Sequence, residues 1–80
     1  MDEIATRLVK CFQTVFPALT ESEIPNASSD SVPAWDSVAA ITLLNVIEEE
    51  FGIQVDFELL AELDSFSRVD EYLRKETRTA

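Results

Sequence analysis

All three prolines of this chain stand at positions 17, 25 and 33, and its single glycine is Gly52. Proline breaks a helix interior, and glycine ends a helix readily. The 80 residues are thereby cut into a front segment, a long proline-bearing stretch and a back half broken at Gly52. Over residues 2 to 16, Ile4, Leu8, Phe12 and Val15 recur every three or four positions, widened by Val9, Cys11 and Phe16. That period predicts a helix with one buried stripe. Asp2 and Glu3 suit the positive end of its dipole, and Pro17 stops it.

Residues 17 to 36 hold the prolines together with Asn26, Ser28, Ser29, Asp30 and Ser31. They read as a loop with one helical turn near Thr20 to Ile24. Long loops in small domains are usually functional or disordered. Leu19, Ile24, Val32 and Trp35 are apolar pins that favour an ordered one. Residues 37 to 51 read as the second helix, with Asp36 as N-cap. Val38, Ile41, Leu44, Ile47 and Phe51, with Leu43 and Val46 beside them, form its stripe, and Gly52 is its stop. Ile53, Gln54 and Val55 make a connector. Asp56 can cap a short third helix over about 57 to 62, turning Phe57 and Leu60 inward, and Leu63 continues the pattern. Ser65 can cap a fourth over about 66 to 75, carrying Phe66, Val69, Tyr72 and Leu73, with Arg74, Lys75 and Arg78 near its negative end. The tail from Thr77 is expected to fray. No segment alternates over strand length. The expectation is an all-α four-helix bundle, with one long loop between helices 1 and 2 and a short third helix. It would be one monomeric domain over 1–80, with an ordered core over about 3–75.

Composition narrows the chemistry. At 46% hydrophobic residues the chain can bury a small core. It lacks the run of about 18 apolar residues that a membrane span needs. Its start, Met1-Asp2-Glu3, is acidic and unlike a secretory signal. One cysteine, Cys11, forms no internal disulfide, and a reducing, cytoplasmic setting is the expectation. Cys11 falls by the apolar stripe and reads as a small core residue. Six basic and sixteen acidic residues give a net charge of −10. Nucleic acid and anionic lipid are poor partners for such a chain. Between Cys11 and Ser67 there is no Lys or Arg. A section of one sign steers basic partners, although it also serves plain solubility. There is no histidine, so the usual general base and His-containing zinc sites are missing. A calcium loop of the D-x-[DN]-x-[DN]-G type is absent too. No triad, phosphate loop or metal constellation can be assembled, and no catalytic residue is expected.

The informative stretch is Trp35-Asp36-Ser37-Val38, opening a helix that ends Glu48-Glu49-Glu50-Phe51-Gly52-Ile53. A serine in the first helical turn lies where free N–H groups and the dipole favour a phosphate. Asp36 and Ser37 could equally be mere capping residues. The larger pattern carries more weight. A first amphipathic helix, a long loop, Asp-Ser-Val opening the second helix, Glu-Glu-Glu-Phe ending it, then a short and a last helix, together resemble an acyl carrier protein. Ser37, Val38, Ile41, Leu44, Ile47, Glu48, Glu49 and Phe51 fall at family spacing, from a resemblance running over about Ile4 to Leu73.

The resemblance implies that Ser37 is the attachment point for 4′-phosphopantetheine, with Asp36 beside it helping to place it. A phosphopantetheinyl transferase would move the group from coenzyme A, using Mg²⁺. The arm would carry acyl groups as thioesters to enzymes of a fatty-acid, lipid or polyketide-type pathway. The protein itself would be a non-catalytic carrier and, through the phosphodiester, a phosphoprotein. Val38, Glu48, Glu49, Asp56 and Glu58 would face partner enzymes with basic docking patches. In the family the core between the second and third helices can admit an acyl chain, and Ile41, Leu44, Val46, Phe57, Leu60 and Leu63 are candidates for that lining. Trp35 stands where the best-known fatty-acid members have a small residue. Ala39 and Thr42 stand where those members often have acids. These departures look more like a specialised, stand-alone carrier. Trp35 reads either as a partner anchor or as a core residue under the loop, with the core favoured. The alternatives are an aminoacyl or peptidyl carrier of the same fold, or an unmodified acidic helical adaptor.

Overall fold

The computed structural model describes residues 3–78, and of Arg78 its backbone alone. The expectations for Asp2, the Arg78 side chain and the last two residues of the tail lie outside the described residues. Among those residues the protein is all-α. Helix α1 runs Glu3–Val15, α2 runs Ser37–Phe51 and α3 runs Phe66–Arg78, with single 3₁₀ turns at Ile24–Asn26 and Phe57–Leu59. There is no strand among them, and one isolated antiparallel bridge joins Ser28 to Ser65. No helix there is long and apolar enough to cross a membrane.

Helix α2 has the predicted bounds, because both of its caps act as the sequence suggests. Asp36 Oδ1 accepts from Ala39 N at 2.8 Å. At the other end Gly52 adopts φ +65°, and its N–H reaches Glu48 O. A residue with a Cβ would be strained in that left-handed conformation. Helix α3 also has its predicted cap, with Ser65 Oγ accepting from Arg68 N at 3.2 Å. It outlasts the expected end at residue 75, and Thr77 is helical rather than frayed. The Thr77 hydroxyl bonds back to Leu73 O at 2.8 Å, and Arg74 pairs with Asp70 at 2.9 Å one turn apart.

The expected third helix is a correction. Asp56 does cap the segment, accepting from Glu58 N at 2.9 Å. The capped residues form a 3₁₀ turn, with Leu60 N donating to Phe57 O at 3.1 Å, and not a helix over 57–62. A short helix is held mainly by packing of one face. Here Val55 and Leu63 are buried at the two ends, but none of Phe57, Glu58 and Leu59 is. The segment is pinned at its ends and needs no helical stripe between them.

The core lies between α1, α2 and α3, with the long loop closing one side. Leu8 and Phe12 of α1, Leu44 and Ile47 of α2, and Val69 and Leu73 of α3 are almost wholly buried, and the loop's Ile24 joins them. Four aromatic rings form its centre. Phe12 lies 5.4 Å from Trp35 and 5.2 Å from Phe66, centroid to centroid, and Phe16 lies 5.5 Å from Trp35. Trp35 is 6% exposed, so the core reading of it holds.

The loop is ordered, as its apolar pins suggest. Ile24, Val32 and Trp35 are buried and Leu19 is half-buried. Polar ties complete it. Thr20 N donates to Glu23 Oε1 at 2.9 Å and Glu23 N donates to Thr20 Oγ1 at 3.3 Å, a reciprocal cap. The same contacts hold the Glu23 carboxyl below its usual range. Across the molecule Ser29 N donates to Asp64 O at 2.8 Å, and Phe66 N to Ala27 O at 3.0 Å. The loop is therefore stitched to the entry of α3.

Arg7 fastens α1 to the far end of α2. Its Nε lies 2.7 Å from Glu50 Oε2, a second nitrogen donates to the Glu50 carbonyl, and its guanidinium sits 4.6 Å from the Phe51 ring centre. Cys11 is 2% exposed, and burial pushes its thiol up to about 11. A protonated, enclosed thiol is inert. The native protein should resist iodoacetamide at pH 8 and be alkylated when unfolded in urea. Rapid native labelling would contradict this packing.

Candidate cofactor-attachment site

The start of α2 is set by the residues before it. Trp35 is held in the aromatic core, and its N–H donates to Val32 O at 2.9 Å. Asp36 is extended, at φ −96° and ψ −173°, and its carbonyl accepts from Ala40 N at 2.9 Å. Ser37 is therefore the first residue of the helix. It is exposed, and its hydroxyl makes no hydrogen bond among the described residues. The N–H groups of Ser37 and Val38 likewise bond no protein acceptor there. An exposed hydroxyl beside free N–H groups at a positive dipole end accommodates a phosphodiester. These residues fit a phosphopantetheine group.

A cleft of about 520 Å³ opens beside this serine. It is lined by Ser29, Trp35 and Asp36 from the long loop and its end, Ser37 and Ala40 of α2, and Glu58, Leu60, Ala61 and Asp64 of the segment before α3. Three carboxylates and no Lys or Arg line it. Asp64 is paired with Arg68 at 3.6 Å. Of the six predicted lining residues for an acyl chain, Leu60 alone lines this cleft. Leu44 and Leu63 are packed in the core, Val46 is half-buried, and Ile41 and Phe57 are each 40% exposed. No group of acidic residues and Cys11 among the described residues is arranged to hold a metal ion.

The predicted partner residues divide. Val38 is 73% exposed, and Glu49, Asp56 and Glu58 are exposed too. Glu48 is half-buried, and its Oε2 accepts from Val55 N at 2.8 Å. That bond ties the end of α2 to the following connector. Glu48→Ala should therefore lower stability by about 1–2 kcal/mol, as loss of a charge-assisted hydrogen bond does. Glu49→Ala should change it by less than about 0.5 kcal/mol. Equal urea midpoints for the two variants would remove this distinction. Sequence reading missed the Glu48 tie, the clamp at Arg7 and the cleft walls at Ser29, Ala61 and Asp64. Nothing in the sequence marks these pairings, since each joins residues distant along the chain or across a turn.

A family model described as the phosphopantetheine attachment site matches residues 35–73, from Trp35 to Leu73. The match covers 39 of the 80 residues and supports a carrier-protein family member. The match implies a covalently attached 4′-phosphopantetheine, and a phosphopantetheinyl transferase and partner enzymes to work with. Comparisons with curated proteins and with solved structures find no match.

Proposed function

We propose that the chain is a non-catalytic acyl carrier protein, loaded on Ser37 and visiting enzymes of a fatty-acid, lipid or polyketide-type pathway in the cytoplasm. The supporting observation is the exposed, uncommitted hydroxyl of Ser37 at the first turn of α2, within the matched segment. The order α1, loop, α2, turn, α3 is read as the carrier bundle, its short third helix reduced to a 3₁₀ turn. When attached, the group supplies a thiol that holds an acyl cargo as a thioester. The chain's own part is to fix the anchor and to be recognised. Asp36 holds the first turn of α2 through Ala39 N, so Ser37 is presented at a fixed place. Val38 offers an apolar contact next to the anchor. Glu49, Asp56 and Glu58 offer a negative surface, and Glu48 adds charge while one of its oxygens is committed to Val55. A surface of one sign speeds encounter with a basic partner and loses that effect in salt.

Intact mass after incubation with coenzyme A, Mg²⁺ and a broad-specificity transferase tests the reading. One phosphopantetheine should be gained. No gain with an active transferase would favour an unmodified adaptor. Glu49→Lys should raise the transferase KM roughly 1.5-fold to fivefold at low salt, the range of an exposed ion pair. The difference from wild type should shrink at high salt. Unchanged KM under both conditions would remove the acidic-surface argument.

A further inference from the structure

We propose that a second cleft, between α1 and the first turn of the long loop, binds a small zwitterion of the amino-acid type. It is lined by Thr6, Val9, Lys10 and Gln13 of α1 and by Glu21 of the loop, and none of these residues lines the cleft beside Ser37. Its volume is about 330 Å³, at the small end of the range of roughly 300–1,000 Å³ found for small-molecule sites. Val9 supplies apolar surface. Thr6, Lys10 and Gln13 follow one another at the four- and three-residue steps that share a helix face.

The charges at this cleft are unanswered. Arg7, Arg68, Arg74 and Lys75 each pair with a carboxylate, whereas Lys10 has no ion pair among the described residues. Glu21 has none there either, and the side chains of Thr6 and Gln13 make no hydrogen bond. An ammonium and a carboxylate thus line one small cleft without closing on each other. A ligand with one charge of each sign answers both. Its carboxylate would meet Lys10, with the Thr6 hydroxyl and the Gln13 amide as further donors, and its ammonium would meet Glu21. A simple anion would face Glu21 and a chain of net charge −10. A simple cation would face Lys10, and exposed carboxylates without a cation beside them, Glu49 and Glu58 among them, would draw it elsewhere. A zwitterion has no net charge to be repelled.

Both sides of the cleft are fixed beforehand. Helix α1 is anchored by Leu8 and Phe12, which are wholly buried. Glu21 lies within the turn closed by the reciprocal bonds of Thr20 and Glu23, and buried Ile24 follows it. Binding therefore orders few protein groups, which keeps its cost down. The bound molecule would link α1 to the loop that ends at Trp35.

The test is a titration of the ¹⁵N-labelled full chain with L-leucine at low salt, followed by amide spectra. It needs no modification of Ser37, so its outcome is independent of the carrier reading. Saturable shifts are expected at Thr6, Lys10, Gln13 and Glu21. Isocaproate and isopentylamine keep the leucine side chain and one charge each. Both should bind about 1.5-fold to fivefold more weakly than L-leucine, the range of an exposed ion pair. Lys10 and Glu21 are exposed, so Lys10→Met and Glu21→Gln should fold as the wild type does. Lys10→Met should weaken L-leucine by the same factor and leave isopentylamine bound no more weakly. Glu21→Gln should weaken L-leucine likewise and leave isocaproate bound no more weakly. Absence of saturable shifts with L-leucine would overturn the proposal. So would shifts confined to residues outside the cleft, or equal affinity for the three probes.

Discussion

Ser37→Ala is expected to abolish loading completely, with no phosphopantetheine gained by mass under conditions that convert the wild type fully. The Ser37 hydroxyl is the atom that would form the new bond to phosphorus, and alanine has no atom to replace it. The same substitution should leave the fold intact. Ser37 is exposed, its hydroxyl holds no other group among the described residues, and the N-cap of α2 is Asp36. Alanine is also a strong helix former. The urea midpoint should move by less than about 0.5 kcal/mol in free-energy terms. Loading of the variant at the wild-type rate would refute Ser37 as the anchor. Loss of both loading and fold would show that Ser37 has a structural role that its surroundings do not suggest.

Phe12→Ala should have the largest effect on stability. Phe12 is fully buried, and its ring meets Phe16 at 6.2 Å, Trp35 at 5.4 Å and Phe66 at 5.2 Å. It therefore joins α1, the loop end before Ser37 and the start of α3. Truncating a buried phenylalanine to alanine costs about 3–5 kcal/mol. A domain of this length is stable by roughly 4–12 kcal/mol, at 0.05–0.15 kcal/mol per residue. The variant should be largely or wholly unfolded near the lower end of that range. Phe12→Leu keeps most of the volume and should cost about 1.5 kcal/mol or less, which leaves a measurable transition. Trp35 is the single tryptophan, so its emission reports unfolding from inside the affected cluster. A loss under about 1 kcal/mol for Phe12→Ala, well below the usual cost of such a truncation, would show that the cluster is not the centre of the core.

The two results belong to different links of one chain of causes. Phe12 holds Trp35, Trp35 fixes where the loop ends, and the next two residues begin α2. A core defect at Phe12 should therefore slow loading at Ser37 indirectly, through unfolding. Ser37→Ala should remove loading with the core untouched. Measuring mass gain and urea midpoint on both variants separates anchor from scaffold.

The sequence by itself determined the three long helices and both ends of α2, because those depend on near neighbours. Apolar residues at helical spacing outlined α1, α2 and α3. Asp36, Gly52 and Ser65 marked boundaries that local capping chemistry enforces. It also placed Ser37 at a helix start, which needs no distant residue, while the reading of Ser37 as an anchor came from the resemblance of the whole pattern. Tertiary structure decided what depends on contacts far apart in the chain. Residues 57–62 carry leucines and a good cap, yet burial of Val55 and Leu63 at the ends leaves a turn and no full helix. Glu48 looked like its neighbour Glu49, but the chain reversal after Gly52 brings Val55 N to its carboxylate. Leu44 and Leu63 could be read from the sequence as cargo lining or as ordinary packing, and the tertiary structure buries both in the core. The cleft beside Ser37 came from no motif. It forms because a backbone hydrogen bond draws Ser29 to Asp64 from the far side of α2 in the chain, a pairing set by the packing of whole elements and not by any local preference.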